Sequence, residues 1–173
     1  MYVGFSRPDF SYASYPFQPG YATVKRTINV RAEVVDLQTG GLIFGRTHHA
    51  SHVVPSRWEK VPDTTTIQRV PSASMAQVAL TSARLSDIRL RQIVFVFDRG
   101  LVGNLTAQLM RCAGAWQVIG IDLISSRLAI AAQCGIDTQI NLTQTKVKDQ
   151  IKHLTGDTGC HEATGVPLLA LQP

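Results

Sequence analysis

No apolar run in this chain approaches the roughly 20 residues of a bilayer-spanning helix, so a membrane partner is not expected. The opening residues, MYVGFSRPDFSYASYPFQPGY, lack the basic start and apolar block of a secretory leader. They are rich in aromatics, Ser and Pro, and read as an irregular lead over residues 1–20. Cysteine is scarce and odd in number. Cys112, Cys134 and Cys160 stand far apart with no CxxC pair, which argues against a disulfide framework and for a reducing, cytoplasmic setting. Cys112 and Cys134 fall in helical patterns and read as small core residues. Charge is not clustered either. The net charge is +5, but the seventeen Lys and Arg are scattered with no run longer than Lys25-Arg26, so nucleic acid is not an expected partner. No internal repeat is visible. No Ser-His-Asp or paired-carboxylate arrangement stands out among the twelve acids, so no catalytic residue is nominated.

A length of 173 residues fits one domain or parts of two, and a hydrophobic fraction of 45% allows a real core. The most organised stretch is Ile93 to Asp122, IVFVFDRGLVGNLTAQLMRCAGAWQVIGID. Ile93 to Phe97 is short, β-branched and aromatic, as a strand buried on both faces would be. A glycine turn follows, Asp98-Arg99-Gly100-Leu101-Val102-Gly103. Val102, Leu105, Leu109 and Ala113 then recur at helical spacing, and Gly114 makes a natural stop. A second apolar run, Val118 to Ile121, ends in Asp122, 22 residues after Gly100. Strand, glycine turn, helix, strand and acid outline a mononucleotide-binding βαβ unit. In such a unit, backbone N–H groups at the helix N-terminus take a pyrophosphate and the acid takes a ribose diol. The alternatives are an ordinary tight βα turn at Gly100 and Gly103 and a plain strand-end acid at Asp122.

Upstream, Thr27 to Val30 and Leu42 to Phe44 read as strands split by the turn Gln38-Thr39-Gly40-Gly41. Ser51 to Pro55 reads as loop passing into strand, so the first third resembles part of a small antiparallel β structure. His48, His49 and His52 lie within it. His48 and His52 would share a face of a helix, but a loop and strand do not align them, and no Cys or acid accompanies them. No metal site is therefore expected there. Pro71 to Arg84 has helical spacing with Ser72 as N-cap. After Asp122 the pattern predicts a helix from Ser125 to Cys134 ended by Gly135, and a strand at Thr138 to Ile140. A helix from Thr145 to Leu154 follows, then a turn between Gly156 and Gly159, and a fourth strand at Cys160 to Thr164. Cys160 and His161 would face opposite sides of that strand, so they form no joint site.

From about Tyr15 to Val166 the chain resembles the medium-chain dehydrogenase/reductase superfamily, of the zinc-type alcohol, sorbitol and threonine dehydrogenase kind. The motifs are the run from Gly100 to Asp137, Leu154-Thr155-Gly156, Glu162-Ala163-Thr164-Gly165, Pro16 to Tyr21, and Ile43-Phe44-Gly45. The resemblance implies an α/β fold: about four strands of a Rossmann-type parallel sheet, preceded by a remnant of a GroES-like β domain. It divides the chain into residues 1–70 and 71–173. It implies an NAD(P)-dependent oxidoreductase moving a hydride between nicotinamide and a small alcohol or carbonyl substrate, with NAD favoured over NADP by Asp122. The implied cofactor-binding residues are Gly100, Leu101, Val102, Gly103, Asp122, Arg127, Thr164 and Gly165; the alternative for Arg127 is a solvated helix residue.

Departures from the family pattern are equally specific. No cysteine precedes the Pro-Gly segment, and Tyr21-Ala22 stand where many members have a zinc-binding His followed by Glu, so zinc is not expected. Glycines of the pattern are replaced at Lys25, Arg31 and Asp98. These departures keep open a second reading: an incomplete chain serving as a non-catalytic nucleotide-binding or oligomerisation module. A homo-oligomer is expected on either reading.

Overall fold

A computed structural model describes residues 19–143, 147–156 and 159–165. The chain divides into two compact units, the first ending at Pro71 and the second beginning at Ser72.

The first unit carries a three-stranded antiparallel sheet, β1 (Thr23–Arg26), β2 (Leu42–Gly45) and β3 (Glu59–Lys60), in that order. Thr23 pairs with Gly45 and Arg26 with Leu42. The first strand therefore lies earlier than the expected Thr27 to Val30. Thr27 closes the ladder instead, donating its N–H to Gly41 O and accepting from Gly40 N, and beyond it the chain leaves the sheet with Ile28 exposed. The Gln38 to Gly41 turn forms as read, with Gly40 at φ +90°. Ser51 to Pro55 is not a strand; the third strand is the short Glu59–Lys60 pair.

The second unit is α/β. Its helices are α1 (Ser72–Leu85), α2 (Leu101–Cys112), α3 (Ser125–Gln133) and α4 (Val147–Thr155). Its strands are β4 (Ile93–Phe97), β5 (Gln117–Asp122), β6 (Thr138–Asn141) and β7 (Glu162–Gly165). All strand pairs are parallel and the order is β6-β5-β4-β7. Numbered within this sheet the order is 3-2-1-4, the first four positions of a doubly wound nucleotide-binding sheet. Both faces of β4 and β5 are covered, which is why their sequences are continuously apolar. One face packs Val94, Val96 and Val118 against Ala107 and Met110 of α2, Ala83 of α1 and Ala131 of α3. The other packs Ile93, Phe95, Ile119, Ile121 and Ile140 against Ile151 and Leu154 of α4. Each fully buried aliphatic side chain contributes about 1.5–3 kcal/mol.

Several local details differ from the sequence reading. Ser72 is the first residue of α1 rather than its cap. The fourth strand starts at Glu162, after Cys160 and His161, and His161 Nδ1 accepts the Ile93 N–H at 3.1 Å. The face of α2 turned to the sheet is Gly103, Thr106, Ala107 and Met110, one step from the larger residues that mark the periodicity. Small residues line it because the helix starts pressed against the end of β4. Cys112 and Cys134 are exposed rather than core: Cys112 lies two residues past Met110 and so off the buried stripe, and Cys134 lies beyond the last turn of α3. The expected helix start at Thr145 lies outside the described residues, and α4 is described from Val147.

Candidate nucleotide-binding site

The turn between β4 and α2 begins with Asp98, whose N–H donates to Ile121 O at 3.0 Å and whose backbone is left-handed at φ +59°. A glycine would hold that conformation without strain; Asp is among the side chains that tolerate it. Gly100 caps α2 with no side-chain hydrogen bond, and no acid lies in the first turn. The Gly100 N–H donates to Asp98 Oδ1 at 3.2 Å, while the N–H groups of Leu101, Val102 and Gly103 have no side-chain acceptor among the described residues, as anion binding requires. Gly103 has a steric role: a Cβ there would collide with the Asp98 carbonyl oxygen. Leu101 is exposed and Val102 half-buried.

Asp122 ends β5 beside this turn. Its Oδ2 accepts the Arg99 N–H at 2.6 Å and its Oδ1 accepts the Ile124 N–H at 2.8 Å. These bonds aim the carboxylate at the mouth of the turn but use part of its accepting capacity. Its side chain is only 4% exposed, and Arg127 Nη1 stands 3.6 Å from Oδ2. Arg127 also pairs with Asp98 Oδ1 at 2.9 Å, so one guanidinium bridges the two acids. Arg127, 44% exposed, is the cation on the solvent side of the Asp122 carboxylate.

Arg99 was not among the site residues named from sequence. It is 2% exposed, with Nη1 donating to Gly103 O at 2.8 Å. Its Nε and Nη2 have no hydrogen-bond partner among the described residues. Gly120 makes room for it: a Cβ there would lie 2.9 Å from Arg99 Nε. The signal in the sequence was that glycine, alone in an otherwise β-branched strand, where a close approach is the usual reason. Burial lowers the Arg99 pKa to about 10, against the opposing pull of Asp122 and Cys134.

Gly100, Gly103, Asp122 and Arg127 are thus gathered at the C-terminal ends of β4 and β5. Thr164 and Gly165 sit on the other side of β4, in register with Val96 and Phe97. Ligands of these folds bind where the strand order reverses. The three upstream histidines are exposed, and His52 Nδ1 lies 3.2 Å from the Ser51 hydroxyl. Among the described residues, no three His, Cys, Asp or Glu side chains converge to hold a metal, so the described residues do not fit a zinc site.

Sheet order, turn and strand-end acid define a doubly wound α/β protein of the nucleotide-binding type. Residues 102–167 match the zinc-binding dehydrogenase family. Over 148 residues the chain is 30% identical to D-guloside 3-dehydrogenase of Escherichia coli K12, covering 83% of this chain and 42% of that protein. It is 26% identical to human sorbitol dehydrogenase over 101 residues, 58% of this chain and 28% of that enzyme. Among solved structures, the 2R,3R-butanediol dehydrogenase of Bacillus subtilis superposes with a TM-score of 0.67 at 20% identity, over 83% of this chain and 49% of that one. An alcohol dehydrogenase from Thermus sp. ATN1 gives 0.66 at 20% identity, over 82% and 52%. Over the part these matches cover, the chain belongs to the medium-chain dehydrogenase/reductase superfamily. It spans less than half the length of the curated relatives it matches.

Proposed function

We propose that residues 71–173 form the nucleotide-binding part of an NAD(P)-dependent oxidoreductase, and that residues 1–70 are a remnant of its GroES-like β domain. The reaction this assigns to the family member is hydride transfer between nicotinamide and a small alcohol, polyol or carbonyl compound. The carrying observation is the Asp122 carboxylate, fixed by the Arg99 and Ile124 N–H groups beside the N-terminus of α2. Gly100, Leu101, Val102 and Gly103 would border the cofactor's phosphates, Asp122 its ribose, and Arg127 and the Thr164-Gly165 pair its flanks. The bound cofactor supplies the hydride chemistry; these residues bind and orient it.

Asp122 selects a ribose 2′-hydroxyl and repels a 2′-phosphate, so NAD is preferred to NADP. Calorimetry on the full chain is expected to give NAD at least tenfold tighter than NADP, with Asp122→Asn erasing most of the difference. Equal affinities, unchanged by the substitution, would overturn the assignment. Turnover of short alcohols and polyols separates an enzyme from a module that binds without chemistry. The observation favouring the module is that Asp98 already occupies the turn.

A further inference from the structure

We infer that the Asp98 carboxylate is an internal anion standing where a bound ligand would place its phosphate, and that the site therefore selects an uncharged nucleoside over a nucleotide or dinucleotide. This rests on the nucleotide-site reading above and, for this chain, favours the module that binds without chemistry over turnover with NAD.

Asp98 Oδ1 accepts from Gly100 N at 3.2 Å and from Arg127 Nη1 at 2.9 Å. A backbone N–H at a helix N-terminus and a guanidinium are the two donors that ordinarily take a phosphate. The open space that a glycine leaves for a ligand's approach is filled here. From the Cβ position of Gly100, Asp98 Oδ1 lies at 3.4 Å and Arg127 Nη1 at 4.0 Å. The carboxylate is held in place by the left-handed backbone of Asp98 and by its N–H to Ile121 O. Arg99 brings a second cation against the first turn of α2. It is 2% exposed, it lies against the first turn of α2, and two of its nitrogens have no partner among the described residues.

An incoming phosphate must displace the Asp98 carboxylate from both donors and then remain beside it as a like charge. A nucleoside meets no such conflict. Its ribose needs Arg127 to leave Asp122, the longer contact at 3.6 Å, while the shorter pair with Asp98 stays intact. The exposed side chains of Leu123 and Ile124 offer an apolar surface for the base next to Asp122.

The test is calorimetric titration of the full chain with adenosine, AMP and NAD, in wild type, Asp98→Gly and Asp98→Asn. Glycine suits φ +59°, and asparagine tolerates it while removing only the charge, so the turn survives in at least one variant. Wild type is expected to bind adenosine at least as tightly as NAD. Both variants are expected to gain about tenfold for AMP and NAD and less than twofold for adenosine. Wild-type NAD binding tighter than adenosine, or equal gains for all three ligands, would overturn the inference and leave the nucleotide site standing. No binding of any ligand to any form would overturn both.

Discussion

Arg99 puts a guanidinium where neither solvent nor a full set of acceptors reaches it, and the cost of doing so depends on pH. Burial lowers its folded pKa to about 10, well below the ordinary guanidinium value that the unfolded side chain keeps. Between those values the unfolded chain binds more protons, so the Arg99 contribution to stability rises with pH there. Below about pH 10 the charge stays in place and its cost is present in full. Arg99→Met removes the titrating group and keeps much of the side-chain length over Gly120. Denaturant melts are expected to show wild type gaining on Arg99→Met as pH is raised from about 8 to about 11, by roughly 1.4 kcal/mol, nearly all of it above about pH 10. Comparing the two proteins cancels the titration of lysines and tyrosines elsewhere. A difference flat across that range would show that Arg99 keeps its ordinary proton affinity.

At the scale of the element, α2 is defined by how tightly its first turn meets the end of β4. Gly103 and Gly100 look alike in the sequence but answer to different constraints. A side chain at Gly103 strikes the Asp98 carbonyl, which is backbone and cannot swing away. At Gly100 the nearest atom to an added Cβ is Asp98 Oδ1 at 3.4 Å, an ordinary contact with a side chain that can move. Gly103→Ala is therefore expected to cost about 1–3 kcal/mol or more as the helix shifts off the sheet. Gly100→Ala should cost under about 1 kcal/mol. Thermal melts followed by circular dichroism separate the two, and equal losses would mean that the turn relaxes as a unit.

At the scale of the whole molecule, the parallel sheet ends in β7, which pairs only with β4 among the described residues. An unpaired strand edge presents a row of N–H and C=O groups to other chains. Self-association through β7 is the expected consequence, seen as a concentration-dependent sedimentation coefficient at tens of micromolar. Ala163→Lys, which sets a charge on this exposed edge residue, is expected to shift the population toward monomer. A monomer at every concentration would show that the edge is covered within the chain. Phe97, 39% exposed beside Gly165 in the ladder, marks the apolar surface that accompanies this edge.

The parallel sheet and its helices were legible in the residues because their signals are local. Ile93 to Phe97 is apolar throughout since both faces of the strand are covered, and Gly114 and Gly135 end their helices with positive φ. The superfamily was legible for the same reason, through the run from Gly100 to Asp137. The first unit was less legible. Thr27 to Val30 alternates like a strand, yet the ladder is closed at Thr27 by hydrogen bonds to Gly40 and Gly41, which periodicity does not register. The character of the site was decided only by tertiary structure. Asp98 meets Arg127 29 residues away and Arg99 meets Asp122 23 residues away. Whether a charged side chain turns to solvent or into the sheet depends on the space its distant neighbours leave. Gly120 left that space for Arg99, and the bridging position of Arg127 made Asp122 a buried acid rather than an open one. Sequence thus determined where a glycine turn and a strand-end acid come together; packing determined that the Asp98 carboxylate holds the Gly100 N–H and Arg127 there.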